Sequence, residues 1–162
     1  MKKIYLALGS NLGDRQANLA QARDQFAADD IRVLRTSSVY ETAPVDVKDQ
    51  PWFLNQVVEA ETVLFPRQLL SRLHKIERAM GRKRTVAKGP RIIDIDILLF
   101  GDAVVATPDL EIPHARMTER RFVLEPLAEL APDLRHPVLN RTMREMLAKV
   151  TDQRVRMFSG NR

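Results

Sequence analysis

The chain has 162 residues, of which 44% are hydrophobic and 29% are charged, and it contains no cysteine. These values are typical of a folded domain with its own core and exclude a disordered chain, and no apolar run approaches the roughly 20 residues of a membrane-spanning helix. The net charge of +5 is concentrated in residues 67–91, where nine Lys and Arg residues accompany Glu77 alone, which indicates either a polyanionic partner or a solvated helix face.

Apolar periodicity predicts helices and strands along the first two thirds of the chain. In chain order these are a strand at 4–8, a helix at 14–28, strands at 32–40 and 53–64, a helix at 66–80, and a strand within 89–101. We expect Asp14 to cap the first helix and Pro66 to open the second. The first strand is apolar on both faces and therefore belongs in the centre of a sheet. This order predicts an α+β fold with a ferredoxin-like core (βαββαβ), a C-terminal extension and three α/β/α layers.

The C-terminal third is less regular than the rest. Residues 101–102, Gly-Asp, predict a tight hairpin turn into a short strand at 103–106. Beyond them, five prolines break the chain into short pieces. The best helix candidate lies at 142–149, because Thr142 and Glu145 can form a capping box.

The most informative segment is residues 89–101, GPRIIDIDILLFG, in which Asp94 and Asp96 interrupt an apolar, β-branched run. Side chains alternate across a strand, so the two carboxylates share one face and the isoleucines share the other. Two nearby carboxylates on so apolar a strand are expensive to keep ionised. Oxygen ligands without Cys or His favour Mg²⁺, which proteins hold with one or two carboxylates plus the phosphates of a substrate. The alternative is an edge strand whose acids simply face water.

Two further segments are candidates for phosphate contact. Residues 9–14, GSNLGD, follow a strand and open a helix, but they lack the Gly-Lys-Ser/Thr ending of a P-loop. A turn with a capping Asp explains them better, although the loop can still border a ligand. His114 precedes a run of arginines, which suits hydrogen bonding to phosphate oxygens if a triphosphate bridges it to the acidic pair. A lone histidine of structural character is the alternative.

Phe53 and Asn55 are two residues apart near the start of the third predicted strand, so they share a face. An amide beside an aromatic ring suits a flat heterocycle, because the ring stacks while the amide reads donors and acceptors on the heterocycle's edge. A phenylalanine in the core is the alternative interpretation.

Several motifs in one order carry a resemblance that spans nearly the whole chain. They are ALGSNLGD at 7–14, YETAP at 40–44 running to DQPWFLN at 49–55, Glu77 through Gly81-Arg82, the segment at 89–101, and Ile-Pro-His at 112–114 followed by RRFVLxPL from 120. Together these motifs resemble the 6-hydroxymethyl-7,8-dihydropterin pyrophosphokinase family. The resemblance implies a Mg²⁺-dependent enzyme of folate biosynthesis that transfers pyrophosphate from ATP to a pterin alcohol and releases AMP.

The resemblance also implies the roles of individual residues. Asp94 and Asp96 would hold two Mg²⁺ ions and act in catalysis with Arg82 and Arg91. The implied pterin-binding residues are Thr42, Ala43, Val45, Phe53, Asn55 and Phe122, with the ring between the two phenylalanines. The implied ATP-binding residues are Glu77, Arg82, Arg84, Arg91, Ile97, His114 and Arg120. Lys88 and Ala115 depart from the aromatic residues that occur in some members, and the basic loop at 81–91 is a candidate lid.

Two other functions remain open from the sequence. Ferredoxin-like sheets also bind RNA, although the acidic pair on a candidate central strand would repel its phosphates. A domain that binds ATP without turnover is the second alternative, and formation of AMP distinguishes all three.

Composition also bears on the domain count, location and partners of the protein. With no cysteine and no signal-peptide pattern, we expect a single domain over residues 1–162 in the cytoplasm. We expect a monomer whose partners are ATP and the pterin, with no nucleic-acid or membrane partner.

Overall fold

The structure, a computed structural model, describes residues 1–43, 51–81, 91–151 and 153–158. Its strands are β1 (Lys2–Ser10), β2 (Ile31–Thr36), β3 (Tyr40–Thr42), β4 (Phe53–Thr62), β5 (Asp94–Phe100), β6 (Val105–Thr107), β7 (Leu110–Ile112) and β8 (Val155–Met157). Its α-helices are α1 (Arg15–Phe26), α2 (Pro66–Ala79), α3 (Arg121–Leu130) and α4 (Met143–Leu147). None of the helices within the described ranges combines the length and apolar character that crossing a membrane requires.

The main sheet is antiparallel and has the order β5-β1-β4-β3-β8, with β2 pairing the other half of β4. Its core is the predicted ferredoxin-like arrangement, and β1 lies between β4 and β5 as its two apolar faces predict. The sequence made the acidic strand a candidate for the centre of the sheet. This expectation is wrong, because β5 lies at the edge of the sheet.

Helices cover both faces of the sheet, which confirms the three α/β/α layers. On one face α1 and α2 bury a core against β1, with Phe26, Leu69, Leu73 and Ile76 almost completely inaccessible. On the other face α3 and α4 pack against residues of β1, β4 and β5, among them Tyr5. Each fully buried Leu, Ile or Phe contributes about 1.5–3 kcal/mol of transfer free energy, so both helical layers follow from the apolar faces of the sheet.

The predicted N-terminal ends of α1, α2 and α4 are confirmed. Asp14 Oδ1 accepts a hydrogen bond from Ala17 N at 3.1 Å, and Pro66 occupies the first position of α2. In α4, Glu145 N donates to Thr142 Oγ1 at 3.1 Å and Thr142 N donates to Glu145 Oε1 at 2.8 Å. These local hydrogen bonds satisfy backbone groups that have no partner inside the helix.

The second predicted strand is not continuous but divides into β2 and β3. Ser37 lies between them, and its hydroxyl accepts a hydrogen bond from Val57 N at 3.0 Å. The backbone carbonyl of Ser37 accepts a hydrogen bond from the side-chain Nε2 of Gln56 at 2.8 Å. A side-chain oxygen therefore replaces a backbone carbonyl in the ladder, and this replacement separates the two strands.

Two expectations for the C-terminal part are wrong. The chain turns at Gly101, but the following strand β6 pairs with β7 in a separate two-stranded sheet and not with β5. Prolines do not exclude a helix, since α3 contains Pro126 within its ten residues. Val123 and Leu127 of α3 are buried against the sheet, and this packing outweighs the missing backbone donor.

Candidate active site

A cleft of about 570 Å³ lies where the C-terminal end of β1 meets the starts of β4, β5 and α3. Its wall brings together nine residues predicted for a site, namely Thr42, Ala43, Phe53, Asn55, Arg91, Asp94, Asp96, Arg120 and Phe122. These residues come from four separate parts of the chain, at 42–43, 53–55, 91–96 and 120–122. The fold therefore joins the acidic pair, the basic side chains and the aromatic slot that the sequence presented separately.

Asp94 and Asp96 both line the cleft, which confirms that they share a face of β5. Their cross-strand partners on β1 are Gly9 and Ala7, respectively, and both of these small residues also line the cleft. Small partners leave space beside the carboxylates. Within the described ranges no group of three or more His, Cys, Asp or Glu residues can hold a metal, so a cation here would need further oxygen ligands from water or a substrate.

Arg91 is partly buried and lines the cleft. Asn11 binds both backbone groups of Arg91. Arg91 N donates to Asn11 Oδ1 at 2.7 Å, and Asn11 N donates to Arg91 O at 3.0 Å. Among the described residues, no acceptor lies within hydrogen-bonding distance of the buried Nε of Arg91. A buried donor of this kind is rare in folded proteins, and either an ordered water or a ligand oxygen can satisfy it.

Arg120 and Arg116 add two more guanidinium groups to the cleft wall. Burial lowers the pKa of Arg120, and Arg116 lowers it further, whereas the nearby Asp96 and Asp94 raise it. The Arg120 guanidinium lies 5.5 Å from the ring centroid of Phe122, within cation–π distance. A concentration of cations beside two carboxylates favours a ligand that carries several negative charges.

His114 lies beside the acidic pair rather than in the wall of the cleft. Its Nδ1 accepts a hydrogen bond from Arg116 N at 3.2 Å, which assigns the proton to Nε2. That Nε2 is 4.0 Å from Asp96 Oδ2. Burial lowers the pKa of His114, with a further contribution from Arg120, so the neutral imidazole presents one N–H donor toward this end of the cleft.

Another part of the cleft wall combines two aromatic rings with an amide, and we call it the aromatic slot. Phe53 and Phe122 both line it, and Asn55 Nδ2 donates to Thr42 Oγ1 at 2.7 Å. A Cβ atom at Gly9 would lie only 3.2 Å from Asn55 Oδ1, so the missing side chain keeps this acceptor accessible. The slot suits a flat ring whose edge carries hydrogen-bond donors.

The remaining predicted residues lie elsewhere. Glu77 is buried behind β5 and accepts a hydrogen bond from Ile95 N at 2.8 Å. Ile97 is buried in the core beneath α1 and α2, on the other face of β5 from the acidic pair. Val45, Arg82 and Arg84 lie outside the described residues, as do Lys88 and most of the candidate lid.

Some cleft residues were not predicted from the sequence. They include Gly9, Arg116, Glu119, Gln153, Arg154 and Val155. The motif at 9–14 was a usable signal for Gly9, because it suggested a loop that borders a ligand. The three C-terminal residues carried no signal, since β8 is only three residues long and its partner strand is distant in sequence.

A family model described as 7,8-dihydro-6-hydroxymethylpterin-pyrophosphokinase (HPPK) matches residues 5–132. The 2-amino-4-hydroxy-6-hydroxymethyldihydropteridine pyrophosphokinase of Methylorubrum extorquens is 48% identical over 151 residues, which cover 93% of this chain and 94% of the relative. Its counterpart of the same name in Bacillus subtilis is 50% identical over 129 residues, which cover 78% of this chain and 76% of the relative.

Longer proteins also match. The folic acid synthesis protein fol1 of Schizosaccharomyces pombe is 45% identical over 159 residues, but the chain spans only 22% of that relative's length. Among solved structures, wild-type Plasmodium falciparum HPPK-DHPS with SDX-DHP has a TM-score of 0.71 at 20% identity and covers 92% of this chain and 43% of its own. At that identity the structural likeness establishes the fold alone.

Proposed function

This chain belongs to the 7,8-dihydro-6-hydroxymethylpterin-pyrophosphokinase family, and from that premise we propose that it transfers pyrophosphate from ATP to 6-hydroxymethyl-7,8-dihydropterin. The observation that carries the proposal is one cleft in which an acidic pair, three arginines and an amide-bearing aromatic slot meet. The hydroxymethyl oxygen attacks the β-phosphorus of ATP, the bond from that phosphorus to the α-phosphate oxygen breaks, AMP leaves, and the hydroxyl proton is released to solvent.

The pterin occupies the aromatic slot in this proposal. Its ring stacks between Phe53 and Phe122, and Asn55 Oδ1 accepts from an N–H on the ring edge. The hydrogen bond from Asn55 Nδ2 to Thr42 supports this orientation, because it commits the amide nitrogen and leaves the oxygen beside Gly9. Holding the hydroxymethyl group in one place removes much of the entropic cost of a reaction between two substrates.

The arginines bind and stabilise the transferring group. Phosphoryl transfer requires little covalent chemistry from a protein, and catalysis rests on positioning and on stabilising spread negative charge. Arg91, Arg116 and Arg120 all border the same cleft, and the buried Nε of Arg91 is supplied with an acceptor when phosphate oxygens are present. His114 Nε2–H adds a donor without adding charge.

The donor set fits magnesium as the accompanying ion. Asp94 and Asp96 would hold Mg²⁺, two ions as the family resemblance implies, and small β1 partners leave room for substrate oxygens beside them. When bound, Mg²⁺ supplies charge neutralisation on the phosphate oxygens. The carboxylates of Asp94 and Asp96 would hold and orient the metal ions, and they transfer no proton.

The test is to incubate the protein with ATP, Mg²⁺ and the hydroxymethyl pterin and to measure AMP and ADP. We expect AMP from the parent chain, and Asp96→Asn should lower kcat on the order of 100-fold or more, because several kcal/mol of charge stabilisation is lost. Asp102→Asn, at an exposed acid just beyond β5, is the matched control and should leave kcat unchanged. Thermal unfolding should differ little among the three proteins.

Other outcomes contradict the proposal. No AMP from well-folded protein that still binds ATP would favour a nucleotide-binding domain without turnover. Formation of ADP would indicate transfer of a single phosphoryl group. A large loss of stability in Asp96→Asn would indicate a structural role for the acidic pair.

A further inference from the structure

A wall of the cleft comes from a part of the chain that the family model does not match. That model ends at residue 132, yet Gln153, Arg154 and Val155 line the cleft. β8 brings them there, because Val155 pairs with Thr42 of β3. The C-terminal segment is therefore placed to act on the residues that face the substrates.

Gln153 contacts the backbone on both sides of Arg120. Its Oε1 accepts a hydrogen bond from Arg121 N at 2.8 Å, and its Nε2 donates to Glu119 O. In addition, its backbone carbonyl accepts from Arg121 Nη1 at 3.0 Å. One residue thus holds the two peptide groups that flank Arg120.

Within α3 this backbone is held through Arg120 O, which accepts from Val123 N and Leu124 N, each at 3.0 Å. Arg120 is the N-cap of α3, in an extended conformation with φ −115° and ψ 106°, and its side chain does not cap the helix. Gln153 supplies the acceptor for the first N–H of α3, a group that no bond inside the helix can satisfy. The start of α3 is therefore positioned by a residue more than thirty positions away.

The position of the Arg120 backbone affects the substrates because the side chain of Arg120 is long. The guanidinium of Arg120 is far from its Cα, so a small backbone rotation displaces it by a large fraction of a hydrogen-bond length. A misplacement of about 1 Å can cost about 100-fold in rate. Phe122, two residues further on, lines the cleft from the same short segment.

We propose that Gln153 is a positioning residue that holds Arg120 against the substrates in the cleft. The inference rests on the proposed function, since Arg120 is taken to contact ATP. It assigns a role to a C-terminal residue outside the part of the chain matched by the family model.

The experiment is a double-mutant cycle on kcat/KM for AMP formation. Gln153→Ala should lower kcat/KM about 10-fold to 100-fold in the parent but less than about 3-fold in an Arg120→Ala background, because residues acting as one unit are non-additive. Gln153→Glu keeps the acceptor for Arg121 N and should recover part of the loss. Gln21→Ala, at an exposed position of α1, is the control and should match the parent.

Trp52 reports whether the C-terminal segment remains in place. It is the single tryptophan of the chain, and the guanidinium groups of Arg154 and Arg156 lie 5.3 Å and 4.3 Å from its ring centroid. We expect its emission to be unchanged in Gln153→Ala. If the emission changes, Gln153→Glu replaces Gln153→Ala in the same cycle.

Equal losses in both backgrounds, or parent-like activity of Gln153→Ala, would overturn the inference. A parent chain that forms no AMP overturns the proposed function instead. The positioning role is then decided by the same cycle applied to the affinity for a non-hydrolysable ATP analogue, measured by calorimetry.

Discussion

At the scale of single residues, the cleft depends as much on missing side chains as on those present. Gly9 and Ala7 lie opposite Asp94 and Asp96 on the neighbouring strand, where larger residues would fill the space between the carboxylates and the slot. Gly9 also lies opposite Asn55 on the other side of β1. A side chain at Gly9 would meet Asn55 and Phe53, so this glycine leaves room on the side of the aromatic slot.

Gly9→Ala should weaken binding of the pterin while leaving ATP nearly unaffected. The added Cβ would lie 3.2 Å from Asn55 Oδ1 and 3.7 Å from Phe53 Cδ1, so the amide must move. Overpacking costs about 1–3 kcal/mol, which corresponds to a KM for the pterin raised about 5-fold to 100-fold. Steady-state kinetics with each substrate varied in turn measures the effect. An equal rise in both KM values would contradict this assignment of the slot.

At the scale of elements, the acidic strand needs protection because β5 lies at an edge of the sheet. Glu77 of α2 accepts from Ile95 N, and His114 N donates to Leu98 O at 3.0 Å. These two contacts occupy backbone groups on β5 that no further strand pairs. A covered edge keeps the strand in register and resists pairing with other chains.

Glu77→Ala should lower the free energy of unfolding by about 1–3 kcal/mol, because it removes the acceptor of a buried N–H. Glu77→Gln retains an acceptor oxygen and should lose clearly less. Glu111→Ala, at an exposed position of β7, serves as the control. Urea denaturation measures all three, and equal losses for the Ala and Gln variants would contradict the edge role. The implied contact of Glu77 with ATP stays a prediction.

The basic segment at 67–91 has two parts with different surroundings, and α2 ends between them. Arg67 pairs with Asp109, and Arg72 and Lys75 pair with Asp29. These cations are matched by acids from other elements, which supports the solvated helix face for this part of the segment. The polyanionic interpretation therefore rests on the residues beyond the helix, of which Arg91 is described and lines the cleft.

At the scale of the whole molecule, polar contacts connect the sheet to the helical layer that contains α3. Arg35 of β2 donates to both carboxylate oxygens of Glu59 and to Leu130 O of α3, and Tyr5 donates to the same carboxylate at 2.6 Å. The hydrogen bond from Arg35 lowers the pKa of Glu59, whereas burial and the adjacent carboxylate raise that of Tyr5. Hydrogen bonds at Glu59 and Arg35 thus join β1, β2 and β4 to the C-terminal end of α3.

Acid should destabilise the whole fold through His136. Its buried Nδ1 accepts from Val138 N and Leu139 N, and burial lowers its pKa below the ordinary value of 6.5. The unfolded chain then binds the proton more readily, so the free energy of unfolding falls as the pH drops below about 6.5, by at most about 1.4 kcal/mol per pH unit. Denaturation between pH 7 and 5 should show a smaller slope for His136→Asn. Identical slopes in both proteins would contradict this role.

The sequence by itself determined the features that depend on neighbouring residues. The alternation of Asp94 and Asp96 placed both carboxylates on one face, and the apolar stripe of α2 and the caps of α1 and α4 followed from short spacings. Both apolar faces of β1 required a central position. Such features are determined locally because side-chain direction along a helix or strand repeats with a fixed period.

Only the tertiary structure decided the features that join distant residues. Ser37 breaks a predicted strand through Val57, α3 forms despite Pro126 because the sheet covers it, and β5 lies at an edge. Gln153 reaches Arg121 because β8 adds to β3. The free energy of these contacts comes from groups that meet only after the chain has folded, so no spacing along the sequence signals them.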